Sequence, residues 1–88
     1  MEKTIKEYVD DLNAKGFVFG EDVYGFIQFG KDYTDANDTM VNIAIELTLK
    51  IQKEFDGAFF ISLLEMFNKE SITNRKQAYY FSQKLNLI

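Results

Sequence analysis

Apolar residues near the start of the chain recur at helical spacing, with Ile5, Tyr8, Val9 and Leu12 on one stripe between Lys3 and Lys15. This predicts an N-terminal helix, and Gly16 supplies the left-handed conformation that ends one at small cost. The pattern then changes. Phe17-Val18-Phe19 and Val23 to Phe29 are dense in aromatic and β-branched residues, which predicts strands at about 17–20 and 23–30, joined through Gly20-Glu21-Asp22. Lys31 to Thr39 is polar and reads as a loop. Beyond it Val41, Ile43, Ile45, Leu47, Leu49 and Ile51 alternate without a break against mostly polar neighbours, so a half-buried strand is expected at about 40–52. A helix is the rival there, because Met40, Ala44, Leu47, Ile51 and Phe55 also match helical spacing and Asp38 can cap its start.

From Ala58 the run AFFISLLEMFNKE lacks alternation and carries good helix formers, predicting a helix at about 57–69. Ser71 or Thr73 can cap a last helix at about 73–86, whose Ala78, Phe81 and Leu85 share a stripe. The expected architecture is therefore α+β in a single domain spanning 1–88. It consists of an N-terminal helix, a three-stranded antiparallel sheet and two C-terminal helices packed on one sheet face. On such a sheet Val23, Ile27 and Phe29 face the core and Tyr24, Phe26 and Gln28 face outward, if only one face is covered.

Composition narrows the chemistry more than it names a function. The chain has 88 residues, 47% hydrophobic and 16% aromatic, enough for a folded core in a small domain. It contains neither cysteine nor histidine, which removes disulfides, thiol nucleophiles, the usual zinc ligands and the general base that titrates near neutral pH. No apolar run has the length of a membrane span, and the charged start MEKTIKEYVDD lacks a signal-peptide core, so a cytoplasmic protein is expected. Ser62, Ser71 and Ser82 carry no activating motif, and no cofactor, catalytic residue or metal ligand is assigned.

Three motif-like features fall short on residue type. Lys15-Gly16-Phe17 with Phe19 echoes the start of the aromatic signature of RNA-recognition domains, but Val18, Gly20 and Asp22 break it, and Glu21 and Asp22 would repel phosphate. Gly16, Gly20, Gly25 and Gly30 are too widely spaced to converge on a phosphate. Asp35, Asn37, Thr39 and Glu46 have the spacing of a calcium loop, yet Met40 stands where its turn needs glycine.

Charge supplies the remaining signal. The net charge of −4 is unevenly placed: between Glu7 and Asp38 the acids Glu7, Asp10, Asp11, Glu21, Asp22, Asp32, Asp35 and Asp38 face only Lys15 and Lys31, whereas from Lys69 onward Lys69, Arg75, Lys76 and Lys84 face only Glu70. Exposed rings bordered by acids suit a basic protein, so Glu21, Asp22, Tyr24, Phe26, Asp32, Asp35 and Asp38 are the expected partner-binding residues. The expected function is a small, non-enzymatic, protein-binding module that occupies a basic, nucleic-acid-binding surface of its partner. In size, acidity and expected element order it is similar to phage-encoded inhibitors such as anti-CRISPR proteins, a likeness carried by no individual motif. The alternative is an accessory DNA-binding domain using Arg75, Lys76 and Lys84 on the last helix. The helix 58–67, with Phe59, Phe60, Ile61, Leu63, Leu64, Met66 and Phe67, exceeds a single apolar stripe, so it is expected either at the centre of the core or partly exposed as the face of a homodimer.

Overall fold

The computed structural model describes residues 3–88, and over these the chain is helical throughout, with no strand and no sheet. Five helices follow one another: α1 (Ile5–Ala14), α2 (Glu21–Thr34), α3 (Asp38–Gln52), α4 (Gly57–Lys69) and α5 (Arg75–Lys84). The expected α+β architecture is overturned at three places. Residues 17–20 form the connection between α1 and α2, residues 23–30 lie inside α2, and residues 40–52 lie inside α3. The helices expected at the two ends of the chain therefore pack on other helices rather than on a sheet face.

The end groups explain where each helix starts. Thr4 and Glu7 form a reciprocal capping box on α1, the Thr4 hydroxyl accepting from the Glu7 amide and the Glu7 carboxylate from the Thr4 amide. Asn37, Asp56 and Asn74 cap α3, α4 and α5 by accepting from the amides of Met40, Phe59 and Gln77. Asn74 thus does what Ser71 or Thr73 was expected to do, and the Gln77 carboxamide answers by accepting from the Thr73 amide at 2.8 Å. Gly16 ends α1 at φ +103°, with Phe17 N–H reaching back to the Leu12 carbonyl at 3.0 Å.

Helix α3 is the axis of the fold, since α1, α2, α4 and α5 all rest on it. Met40, Val41, Asn42, Ile43, Ala44, Ile45, Leu47 and Thr48 are buried, which covers its circumference over more than two turns. That burial is why the alternation misled. With most of the helix enclosed, its polar stripe is reduced to Asn42, Glu46 and Lys50, too narrow to impose period 3.6, so its apolar residues can fall at period two by chance. Of the two buried polar side chains, Thr48 donates to the Ala44 carbonyl at 2.7 Å, while Asn42 Nδ2 donates to the Lys3 carbonyl at 2.9 Å, tying α3 to the segment before α1 and leaving Asn42 Oδ1 without a partner among the described residues.

Helix α4 lies against both α2 and α3 and buries Phe60, Leu63, Leu64 and Phe67 between them. Its outward positions are Ala58, Ser62, Glu65, Asn68 and Lys69. Much of the apolar surplus that marked 58–67 as a dimer face is thus enclosed within the chain. The α2–α4 contact is close because Gly30 sits in it: a Cβ there would stand 2.8 Å from both Ile61 Cδ1 and Phe60 Cε2. Gly25, one turn earlier on α2, faces open space. The glycines of α2 therefore mark a contact and a gap on a helix, not strand ends. No described helix is long and apolar enough to cross a membrane.

The two α2 glycines should respond oppositely to substitution. Gly30→Val is expected to lower unfolding free energy by about 1–3 kcal/mol through overpacking against Phe60. Gly25→Ala is expected to raise it by about 0.5–1 kcal/mol through helix propensity. Urea unfolding followed by far-UV circular dichroism measures both, and equal responses would contradict the α2–α4 contact.

Candidate functional site: the outward face of helix α2

Gly20 stands at the N-cap of α2 without a side-chain cap, and Glu21 and Asp22 in the first turn complement the positive end of the helix dipole. Ile27, Gly30 and Thr34 turn inward, the Thr34 hydroxyl donating to the Gly30 carbonyl at 2.8 Å. With the inner face fixed, the helical repeat puts Asp22, Phe26, Phe29 and Tyr33 on one outward stripe at spacings of four, three and four residues.

The rings of that stripe continue a chain of aromatic contacts that begins in the core. Phe60, fully buried, meets Phe55 at 5.3 Å and Phe26 at 6.5 Å between ring centroids. Phe26 passes the chain to Phe29 at 6.2 Å, and Phe29 stacks on Tyr33 at 5.7 Å with planes 14° apart. Exposure rises outward, from 37% at Phe26 to 56% at Phe29 and 62% at Tyr33. Phe29 was expected in the core and Tyr33 was not singled out. Both would have been found by reading 22–33 at period 3.6 instead of period two.

The predicted acidic residues separate into two groups. Glu21, Asp22, Asp32 and Asp35 are exposed, and none of them takes part in an ion pair among the described residues. Asp38 is engaged inside the fold: it accepts from Lys31 Nζ at 2.7 Å and from the Ile5 amide at 3.2 Å. The bond from Lys31 holds the Asp38 carboxyl below the usual carboxylate range, and the same pair pushes the Lys31 ammonium upward. Asp38 therefore leaves the predicted patch and becomes a tie between α1, α2 and α3. Tyr24 is half-buried, its hydroxyl accepting from Gln28 Nε2 at 3.1 Å, beside a groove of about 240 Å³ between α1 and α2 that Asp10, Phe19 and Glu21 also line.

The basic end of the chain is arranged differently. Arg75 reaches both carboxylate oxygens of Glu46 on α3, and the Tyr79 hydroxyl donates to the same carboxylate. Burial, then the bond to Glu46, pushes the Tyr79 phenol up to about 12. Lys50 stands 5.5 Å above the Tyr79 ring. Of the residues proposed for DNA contact, Lys76 and Lys84 are exposed, while Arg75 is held by Glu46 and fixes α5 to α3. The calcium-like spacing is likewise dispersed: Glu46 serves Arg75 and Tyr79, and Asn37 serves the Met40 amide. A cavity of about 500 Å³ lies where Lys3, Tyr8, Asn42, Thr73 and Arg75 meet; its two cations are already paired, Lys3 with Asp11 and Arg75 with Glu46.

The fold and its charged, ring-bearing helix define a small helical protein with an exposed amphipathic face on α2. Over residues 1–88 the chain matches the model of the Family of unknown function (DUF6123), and it belongs to that family. No curated protein and no solved structure gives a match.

The Glu46 cluster yields a spectroscopic prediction. Because the folded Tyr79 pKa lies above the ordinary 10, its neutral form stabilises the fold below pH 10, and that contribution is lost as pH rises towards 12. Tyrosinate absorbance should show one ring ionising near 12. That step should vanish in Tyr79→Phe and move part of the way down towards 10 in Glu46→Gln, which removes the bonded charge but leaves the burial.

Proposed function

We propose that the protein is a small, acidic, non-enzymatic binding module whose α2 face occupies a basic surface of a partner protein. The supporting observation is the coincidence on one helix of exposed rings and exposed carboxylates that form no ion pair among the described residues: Phe26, Phe29 and Tyr33 beside Glu21, Asp22, Asp32 and Asp35. Carboxylates without partners give steering and orientation, while rings give contact area at small cost in conformational freedom. A partner surface built to hold phosphate has the complementary charge, so the module would act as an inhibitor by filling a nucleic-acid site. Such a partner would be met in the cytoplasm. A direct nucleic-acid role is less well supported, because Arg75 is engaged by Glu46 and the chain is net acidic.

Affinity capture from the native host, with proteins retained at low salt and eluted by raised salt, tests this reading. Wild type should retain basic proteins that the quadruple variant Glu21→Gln, Asp22→Asn, Asp32→Asn, Asp35→Asn does not. A control lacking the exposed Glu54 and Glu70 carboxylates should behave as wild type. Identical recovery by wild type and quadruple variant would refute the reading.

A further inference from the structure

The α2 face has more shape than an acidic patch needs, and the shape selects among cations. Phe29 and Tyr33 are stacked nearly parallel with ring centroids 5.7 Å apart, and more than half of each residue is exposed, so the pair offers open aromatic surface as a platform. Asp32 neighbours Tyr33 in the chain and sits one turn from Phe29; Asp22 lies two turns before Phe29 on the same stripe. Between Asp22 and Phe29, Gly25 leaves a gap where any other residue would place a Cβ, and nothing stands within 4 Å of that position. Platform, flanking carboxylates and gap lie on a helix whose other side is clamped by the Gly30 contact.

Resting on the proposed basic partner, we infer that this face recognises arginine side chains of that partner, with a guanidinium laid on the Phe29–Tyr33 platform and paired to Asp22 or Asp32. A guanidinium is planar and weakly hydrated. It can stack on a ring while its edge donates two parallel hydrogen bonds to a carboxylate. An ammonium is compact and strongly hydrated, so it takes the charge attraction without the stacking. A second copy of the chain is the poorer occupant. Two α2 helices laid antiparallel on this face would bring Glu21 and Asp22 of one against Asp32 and Asp35 of the other, acid against acid.

Calorimetric titration of the intact protein with an arginine-rich alanine peptide and its lysine homologue, at low salt, separates the possibilities. Wild type should bind the arginine peptide roughly 5–10-fold more tightly than the lysine peptide. Phe29→Ala and Tyr33→Ala, at exposed positions where folding is not at risk, should remove most of that preference and leave lysine-peptide affinity nearly unchanged. Asp22→Asn with Asp32→Asn should weaken both peptides. Equal affinity for the two peptides, or a preference that survives loss of both rings, overturns the arginine inference while leaving a basic partner standing. Failure of wild type to bind either peptide overturns both. A monomer–dimer equilibrium in sedimentation that Phe29→Ala abolishes shows a second copy on the platform and overturns the inference as well.

Discussion

Enclosure of α3 around most of its circumference is the constraint from which the rest of this small structure follows. A chain of this length buries a modest fraction of its surface, and here the largest share of the core comes from one fifteen-residue helix. Each surrounding helix then needs only a single apolar stripe. Helix α1 contributes Ile5, Val9 and Leu12, α5 contributes Ala78 and Ser82, and α4 fills the wedge between α2 and α3. Polar ties at the periphery set the order of this packing: Asp38 gathers α1 and α2 at one end of α3, and Glu46 gathers α5 further along it.

The same arrangement supports the exposed rings of α2. Phe60 and Phe55 hold Phe26 from within, and Phe26 supports Phe29, so the outer rings are extensions of core packing and not isolated surface side chains. Rings held in this way lose little freedom when a partner covers them, which is where flexible surface residues forfeit affinity. On the proposed reading, the carboxylates beside them would contribute reach and orientation while a basic partner is still distant.

Some of this was legible in the residues and some was not. Helices α1, α4 and α5 announced themselves through one-sided stripes, end signals such as Gly16, or a run of helix formers without alternation. Helix α3 concealed itself because Val41, Ile43 and Ile45 are all buried alongside Met40, Ala44 and Leu47, leaving a polar stripe of only Asn42, Glu46 and Lys50 to reveal its period. Helix α2 was hidden by composition: Phe26, Phe29 and Tyr33 favour strands in isolation, and Gly25 and Gly30 weaken helices, yet packing on α4 outweighs both preferences. The acids at Glu21, Asp22 and Asp32 were readable as exposed, whereas the engagement of Asp38 by Lys31 depended on a tertiary neighbour seven residues away. Correct exposure of Phe26 emerged from an incorrect element; Phe29 and Tyr33 required the correct one.

Gly30 also sets a phase. Because only one position of α2 lets its backbone approach Phe60 and Ile61 so nearly, the helix has a single rotational setting relative to the bundle, and every other residue inherits its azimuth from that pin. Inserting one residue between Phe26 and Gly30 would turn the preceding half of α2 by about a hundred degrees. Asp22 and Phe26 would swing off the line of Phe29 and Tyr33 although none of the four had changed. For relatives of this chain, the spacing from the pinned glycine to the acids and rings is therefore as informative as the identity of those residues.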